Sequence, residues 1–414
     1  MTLLLAALSS ASVAGTVTVA PDSSAAYLTI QEGIDAATYG DTVLVFPGTY
    51  LEHVYMGPDA DGVVLLSADG PESTVIDGEM VTLSSVIHCE QLGAETLISG
   101  FTITGGWANW MGGGIRCTYA DVTIEGSVFT GNWAAQAGGG GVGAEYSSVA
   151  VRGCRFEENR GDGAGVAVFG GSAVIQDNDF IGNEANIFTG LQSGGAINIS
   201  NCTFAELSGN RIRENWALDA GGVYLDWTDE VLVHDNEISG NFAAYFAGGI
   251  SVHHCGGEVR RNVIADNRAD DSFGAAMGLG TSDDFPFSGH LLVEDNVLFA
   301  NGGEVAEAIS VRWNSEGERL QCHSNHFVDA TPFQVGIRGT GAPDTLDFTG
   351  NWWGTSDPVA ISNRIWDYTD APTLPWVVDF SGWCLESDCS GSVTGIAQEV
   401  EQGTSWGRLK AMYR

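Results

Sequence analysis

Asn178-Asp179-Phe180-Ile181-Gly182-Asn183, Asn210-Arg211-Ile212-Arg213-Glu214-Asn215, Asn236-Glu237-Ile238-Ser239-Gly240-Asn241, Asn262-Val263-Ile264-Ala265-Asp266-Asn267 and Asn296-Val297-Leu298-Phe299-Ala300-Asn301 are five copies of one hexapeptide, Asn-x-φ-x-x-Asn with φ apolar. Upstream the frame persists with Ser127 or Cys154 in the first slot and Asn132 or Asn159 in the second. Downstream, Asn325 and Asn351 keep the first slot alone. From Ser127 to Asn351 the first slot recurs at steps of 27, 24, 32, 26, 26, 34, 29 and 26 residues. A recurrence of that size marks a solenoid, in which each unit buries its apolar face against the next.

Each unit carries a second mark, a pair of small residues followed by an apolar one: Gly113-Gly114-Ile115, Gly140-Gly141-Val142, Gly194-Gly195-Ala196-Ile197, Gly221-Gly222-Val223 and Gly248-Gly249-Ile250 are examples. Between the marks lie period-2 runs such as Val149 to Val151, Val231 to Val233 and Leu291 to Val293, too short for helices and rich in β-branched residues. The chain is therefore predicted to be all-β, with three short strands per coil. Asparagine suits a stacked turn because it tolerates left-handed backbone angles and its amide can bond the equivalent amide one coil away. The coil spacing should be roughly 4.8 Å. Phe129, Phe156, Phe180, Ile212, Ile238, Ile264, Leu298 and Phe327 should then form an inward column.

These coils resemble those of right-handed parallel β-helices of the pectin-lyase-like superfamily. The pairing of Phe180-Ile181-Gly182-Asn183 with Gly194-Gly195-Ala196-Ile197 is similar to the repeats of chlamydial polymorphic membrane proteins. Thr29 to Tyr50 resembles the entry segment of secreted β-helix proteins, which implies a capping helix, expected near Tyr27 to Tyr39, followed by the first strand. The resemblance spans roughly residues 25 to 380 and speaks to fold, because the same coil carries lyases, hydrolases, epimerases and adhesins. The fold class expected is a right-handed parallel β-helix with an N-terminal capping helix and a C-terminal cap.

The domain organisation follows. Residues 1–14 read as an export signal, with an apolar run from Leu3 to Leu8 and Ser12-Val13-Ala14 before Gly15, although no basic residue precedes the run. Residues 15–96 form the N-terminal cap and leading coils, 97–355 the regular coils, and 356–389 a C-terminal cap in which Trp366, Trp376 and Trp383 would cover the last open strand edge. Residues 390–414 are a linker and a basic, aromatic tail, Thr404 to Arg414, read either as a sorting tag for export machinery or as a frayed end docked on the acidic solenoid. No segment approaches the roughly 20 apolar residues of a membrane span. A secreted, extracellular or cell-surface location is expected. The eight cysteines suit an oxidising compartment: Cys384 with Cys389 would clip the C-terminal cap, and Cys89 with Cys117 would bridge neighbouring coils. The alternative is buried free thiols.

Acidic residues exceed basic ones by 53 − 16 = 37, and Lys410 is the sole lysine. Nucleic acid, polyphosphate and anionic membranes are therefore poor partners. The residue after the second slot of each coil should project from one shared edge, giving the row Trp107, Trp133, Arg160, Glu184, Trp216, Phe242 and Arg268. Rings that stack on sugar faces, with Arg and Glu for hydroxyls, suit a polysaccharide or cell-surface glycan; the alternative is packing under a loop. Beside this row lie Asp162, Asp219, Asp270 and Asp271, of which Asp219, Asp270 and Asp271 are the candidate catalytic carboxylates of a glycosidase. The Asn-Thr-Asp, Gly-His-Gly and Arg-x-Lys marks of polygalacturonases are missing from the coils, and with no lysine there, a lyase base would have to be an arginine. Calcium is the ion that Asp270, Asp271, Asp283 and Asp284 would suit, the alternative being solvated loops. His253-His254 should split, one side chain into the core and one to solvent. The functions left open are carbohydrate binding or adhesion, a polysaccharide-active enzyme (hydrolase or lyase), and a purely structural surface protein.

Overall fold

The computed structural model describes residues 14–80, 83–136, 138–185, 193–270, 274–280, 289–303, 307–312, 320–328, 333–338, 344–367, 369–374 and 376–385. Its repeating unit is seen in the coil that begins at Val223. The chain runs through Val223–Asp226, turns at Trp227, runs through Glu230–His234, turns at Asp235-Asn236, and runs through Glu237–Ser239. It then turns again at Gly240-Asn241, makes the two-residue strand Phe242–Ala243 and returns to Ile250–His253. Each strand pairs in parallel and in register with its counterpart one coil on: Val223 with Ile250, Val231 with Gly257, Ile238 with Ile264. The first two faces join in a 24-stranded sheet, the third is an 11-stranded sheet, and the two-residue strands add a fourth short ladder beyond the three expected.

The inward column is Phe129, Phe156, Phe180, Ile212, Ile238, Ile264, Leu298 and Phe327, all buried. Phe129, Phe156 and Phe180 stack with ring centroids 4.7 Å apart, which is the strand spacing itself. Trp353 closes the column by stacking on Phe327.

Two asparagine ladders run along the corners. In the first, Asn178 Nδ2 donates to Asn210 Oδ1 (3.0 Å), Asn210 to Asn236 (3.0 Å), Asn236 to Asn262 (2.9 Å) and Asn262 to Asn296 (2.9 Å). In the second, Asn132, Asn159, Asn183, Asn215, Asn241, Asn267 and Asn301 are linked in the same way. Each acceptor also takes a backbone N–H: Asn210 N donates to Asn236 Oδ1, and Asn236 N to Asn262 Oδ1. Each amide also donates backwards to a carbonyl of the previous coil, as Asn236 does to Leu207. The asparagines therefore satisfy corner groups that no strand reaches, which is what a buried turn requires.

The left-handed residue at these corners is not the asparagine but the one before it. Asp177, Glu214, Asp235, Arg261, Asp266, Asp295 and Ala300 all have φ between 52° and 58°, and Gly182, Gly209 and Gly240 take the same role. That residue turns the chain so that the following side chain points inward. The small-residue pairs are small because backbones meet there: a Cβ on Gly195 would lie 2.1 Å from the Gly221 carbonyl oxygen.

The N-terminal end is covered by the helix Ile30–Ala36, shorter than the expected span, with a Thr29–Glu32 capping box. Ile30 and Ile34 are buried, and Glu52 accepts from the backbone N–H groups of Ile30 and Gln31. At the other end stand the helix Pro358–Ser362 and the strand Trp376–Asp379. No helix among the described residues is long and apolar enough to cross a membrane. The expected Cys89–Cys117 bridge is not formed. The two are in-register partners and both are buried free thiols; parallel ladder positions hold Cβ atoms at about the strand spacing, wider than the ~3.8 Å a disulfide needs. Cys384 is disulfide-bonded; Cys389 lies outside the described residues, as do residues 1–13 of the expected export signal 1–14 and residues 386–414.

Removing one rung tests the ladder. Asn236→Ala leaves the Asn210 amide and backbone N–H without their acceptor and frees buried groups on Leu207 and Asn262. At about 1–3 kcal/mol per buried unsatisfied group, a loss of roughly 3–5 kcal/mol is expected in urea unfolding. Ile238→Asp should disorder the middle coils outright, since it puts an unpaired charge in a dry core.

Candidate functional site

The seven residues of the expected edge stand in one column. Trp107 pairs with Trp133, Trp133 bridges to Arg160, Arg160 to Glu184, and Glu184 to Trp216; Trp216 then pairs with Phe242 and Phe242 with Arg268. All seven are half-buried or exposed. Their mode of contact differs from a stacking platform. Trp107 and Trp133 lie 5.3 Å apart and nearly parallel, Trp216 and Phe242 stack at 6.5 Å, and the Arg268 guanidinium sits over Phe242 at 5.9 Å. Arg160 pairs with Glu184 at 3.4 Å. The ring faces point along the solenoid axis into one another, and the Nε1 atoms of Trp107 and Trp133 are buried.

Asp270 is exposed and held by Arg268 at 2.6 Å, so its charge is already matched. It stands two coils beyond Asp219 at a different offset from the edge row. Asp271, Asp283 and Asp284 lie outside the described residues. Among the described residues, no group of three or more His, Cys, Asp and Glu side chains is placed to hold a metal ion.

Asp219 belongs to a different cluster. Asp162, Ser193 and Asp219 occupy one position on three successive coils: Gly163 N donates to the Ser193 carbonyl, Gly194 N to that of Asp219, and Ser193 bridges to Asp219. Two coil spacings put the aspartate backbones about 10 Å apart. Asp162 Oδ1 accepts from Ser193 N at 2.7 Å and from Asn198 Nδ2 at 3.2 Å, which leans its carboxyl towards Asp219. Burial pushes Asp162 up to about 7 against those two hydrogen bonds, and the Asp219 charge adds to the rise. Burial raises Asp219 as well. Two carboxyls with raised affinity for protons, on one side of one face, can divide the roles of acid and base.

The strand Val223–Asp226 adds Tyr224 and Asp226 beside this pair, and Ile250–His253 adds Ser251 and His253. Burial, then Asp226, Asp219 and Asp162, raise the Tyr224 phenol; burial raises Asp226 against the pull of His254. His253 is pushed down to about 4 by burial, by His254 and by Arg312. The expected division of His253 and His254 between core and solvent does not occur. His254 has φ of 49°, which breaks the strand alternation; its ring stacks on Trp227 at 4.1 Å and its Nδ1 meets Asp226 at 2.9 Å. His253 faces Tyr224 and Ser251 on the outer side of the sheet.

A further aromatic row was hidden from the periodicity. Tyr119 and Tyr146, each 60% exposed, stack 5.3 Å apart at the corner that ends the first face. Trp227 and His254 continue that corner after Gly170 and Asn201, all with positive φ. The signal in the sequence is a large aromatic placed directly after the outer strand, where Gly or Asn would turn more easily.

Comparison with known proteins bears on this architecture. A family model described as a right-handed β-helix region matches residues 60–204 and 164–353. No curated protein matches the sequence. Among solved structures, the chain is similar to a pectin methylesterase from carrot (14% identity, 95% of this chain and 97% of that chain, TM-score 0.25). It is also similar to the family 28 exopolygalacturonase of Yersinia enterocolitica (13%, 89% and 78%, TM-score 0.29) and to the mannuronan C-5 epimerase AlgE6 A-module of Azotobacter vinelandii (14%, 86% and 94%, TM-score 0.28). At such scores these three carry no argument about activity.

Asp162 makes the cluster measurable. Its folded value lies above the ordinary 3.8, so the native state holds a proton that the unfolded chain gives up. The stability it contributes is present below about pH 4 and is lost as pH rises towards 7. Urea unfolding of wild type against Asp162→Asn should show the variant gaining relative stability over that range; a difference that does not change with pH would contradict the burial described.

Proposed function

The chain belongs to the right-handed β-helix family, and we propose that it is a polysaccharide-acting member that hydrolyses a sugar chain laid along its outer face, with Asp162 as proton donor and Asp219 as base. The observation that carries this reading is the coupled pair itself: two carboxyls two coils apart, both raised by burial, one to about 7. Asp162 is the donor because it is the group that holds its proton near neutrality.

The steps balance as follows. Asp162 gives its proton to the glycosidic oxygen as the bond to the anomeric carbon breaks. Asp219 takes a proton from a water whose oxygen bonds to that carbon from the opposite side. A spacing of roughly 6.5–9.5 Å between carboxyls leaves room for the water and gives inversion, whereas retaining pairs stand about 5–5.5 Å apart. Tyr119 and Tyr146, each 60% exposed though stacked on one another, offer more ring surface to a sugar chain than the half-buried rings of the edge row. Arg160 and Glu184 of the edge row are suited to hydroxyls. The row's self-stacked rings give it a structural share.

A binding or adhesin role without turnover is favoured by one observation, the exposed Tyr119–Tyr146 pair, which needs no carboxylate. Action outside the cell is part of the proposal and rests on the apolar run Leu3 to Leu8; the tail from Thr404 is the segment an export machinery would read.

A panel of neutral and acidic polysaccharides, assayed for reducing ends with calcium and with chelator, tests the reading. Asp162→Asn and Asp219→Asn should each lower turnover by about 10²–10⁴, with folding intact. Activity should fall as pH rises through about 7, where Asp162 loses its proton. The released anomer should be inverted by NMR. A wild type that binds a glycan but releases no ends refutes hydrolysis and leaves binding.

A further inference from the structure

We infer that a second groove, near the N-terminal end of the same outer face, is a recognition site for an anionic saccharide, with the oxyanion on Arg116 and the sugar ring against Trp110. The groove has a volume of about 420 Å³, and its walls include Tyr55, Leu83, His88, Trp110 and Arg116. Tyr55, His88 and Arg116 are in-register neighbours on three successive coils. The same register continues through Gly143, Ala167 and Asn198 to Tyr224, four coils or about 19 Å from Arg116, while Met111 of the groove stands two coils, about 10 Å, from Asp162 through Gly138.

Charge makes the groove unusual. In a chain with 37 surplus acidic charges, eight of the described arginines are paired with a carboxylate of the chain. Arg116 has no such pair among the described residues, and its buried Nε has no acceptor. Glu90, two residues along the neighbouring strand, is engaged instead by the Tyr55 hydroxyl at 2.7 Å. His88 Nε2 is likewise buried without a partner, and burial together with the Arg116 charge holds the imidazole below its ordinary value. A guanidinium and a neutral imidazole with unmet hydrogen-bonding capacity fit one oxyanion, because a buried unpaired N–H gains most from a charged acceptor.

The ring beside them sets the rest of the ligand. Trp110 is 46% exposed and Leu83 58%, large apolar surfaces at the mouth of a polar groove. An exposed indole and a guanidinium lining one groove match a pyranose that carries a carboxylate or a sulfate. The inference does not rest on hydrolysis in the carboxylate cluster.

The test is calorimetric titration of the full chain with trigalacturonate, with a sulfated galactan oligosaccharide and with neutral cellotriose. At least one anionic ligand should bind, and which one identifies the oxyanion. Arg116→Gln should weaken binding at least tenfold and Trp110→Ala several-fold; Trp110 is exposed, so its variant keeps the fold should Arg116→Gln fail to. The NMR-detected pKa of His88 should rise on binding, because the oxyanion offsets the Arg116 charge. Equal or tighter binding of cellotriose, no binding of either anionic ligand, or an affinity indifferent to Trp110→Ala and Arg116→Gln would each overturn the inference. Absence of hydrolysis would leave it standing.

Discussion

Everything in this molecule depends on coils that stack in parallel and in register. A parallel ladder satisfies strand N–H and C=O groups, but it leaves the corners with buried polar backbone and no partner. The asparagine amide has one acceptor and two donors on a short stem, so it can bond the coil before and the coil after at once, as Asn236 does with Leu207 and Asn262. Chains of such amides polarise one another in a dry interior. Where the slot holds Ser127 or Cys154, the ladder begins with weaker partners: Ser127 N reaches only Cys154 Sγ, at 3.5 Å. The sheet register, the phenylalanine stack and the shared edge all follow from the corners being fixed.

This is why the fold was legible. A side chain that must sit in the same place on every coil recurs in the sequence, and so do the φ residue beneath it and the edge residue after it. Trp107, Trp133, Arg160, Glu184, Trp216, Phe242 and Arg268 form a column because equal offsets give equal orientations. Identity alone does not give the backbone angle: the left-handed residue is Asp177 or Arg261, whose types vary from coil to coil, while the recurring asparagine next to it is not left-handed. Cys89 and Cys117 show the converse limit, since a spacing of one coil predicts adjacency but not the Cβ geometry that a bridge needs.

The carboxylate cluster was legible only in fragments. Asp162 and Asp219 are 219 − 162 = 57 residues apart, and only the stack brings them to the same face. Tyr224, Asp226 and His253 sit on strands whose inward residues announce the fold, so their outward residues carry no periodic mark. Burial then does what sequence cannot foretell: it lifts Asp162 and Asp226 and lowers His253 within one small region. Asp270 reads like its neighbours on paper, yet Arg268 neutralises it.

The unequal steps between slots have a consequence of their own. The 24-residue step from Cys154 to Asn178 and the 32-residue step from Asn178 to Asn210 end in rungs of nearly the same length, 2.9 and 3.0 Å from backbone nitrogen to amide oxygen. Most of the difference falls in one stretch, from the second asparagine to the next outer strand: 166 − 159 = 7 residues in one coil and 197 − 183 = 14 in the next. Doubling such a stretch costs only about 0.6 kcal/mol in closure entropy. Insertions and deletions at this corner can therefore accumulate almost neutrally, each one reshaping the border of the carboxylate cluster while the interior keeps its frame. Loop length at this corner is thus decoupled from the stability of the frame, and a designer could exchange one corner segment for another as a cassette.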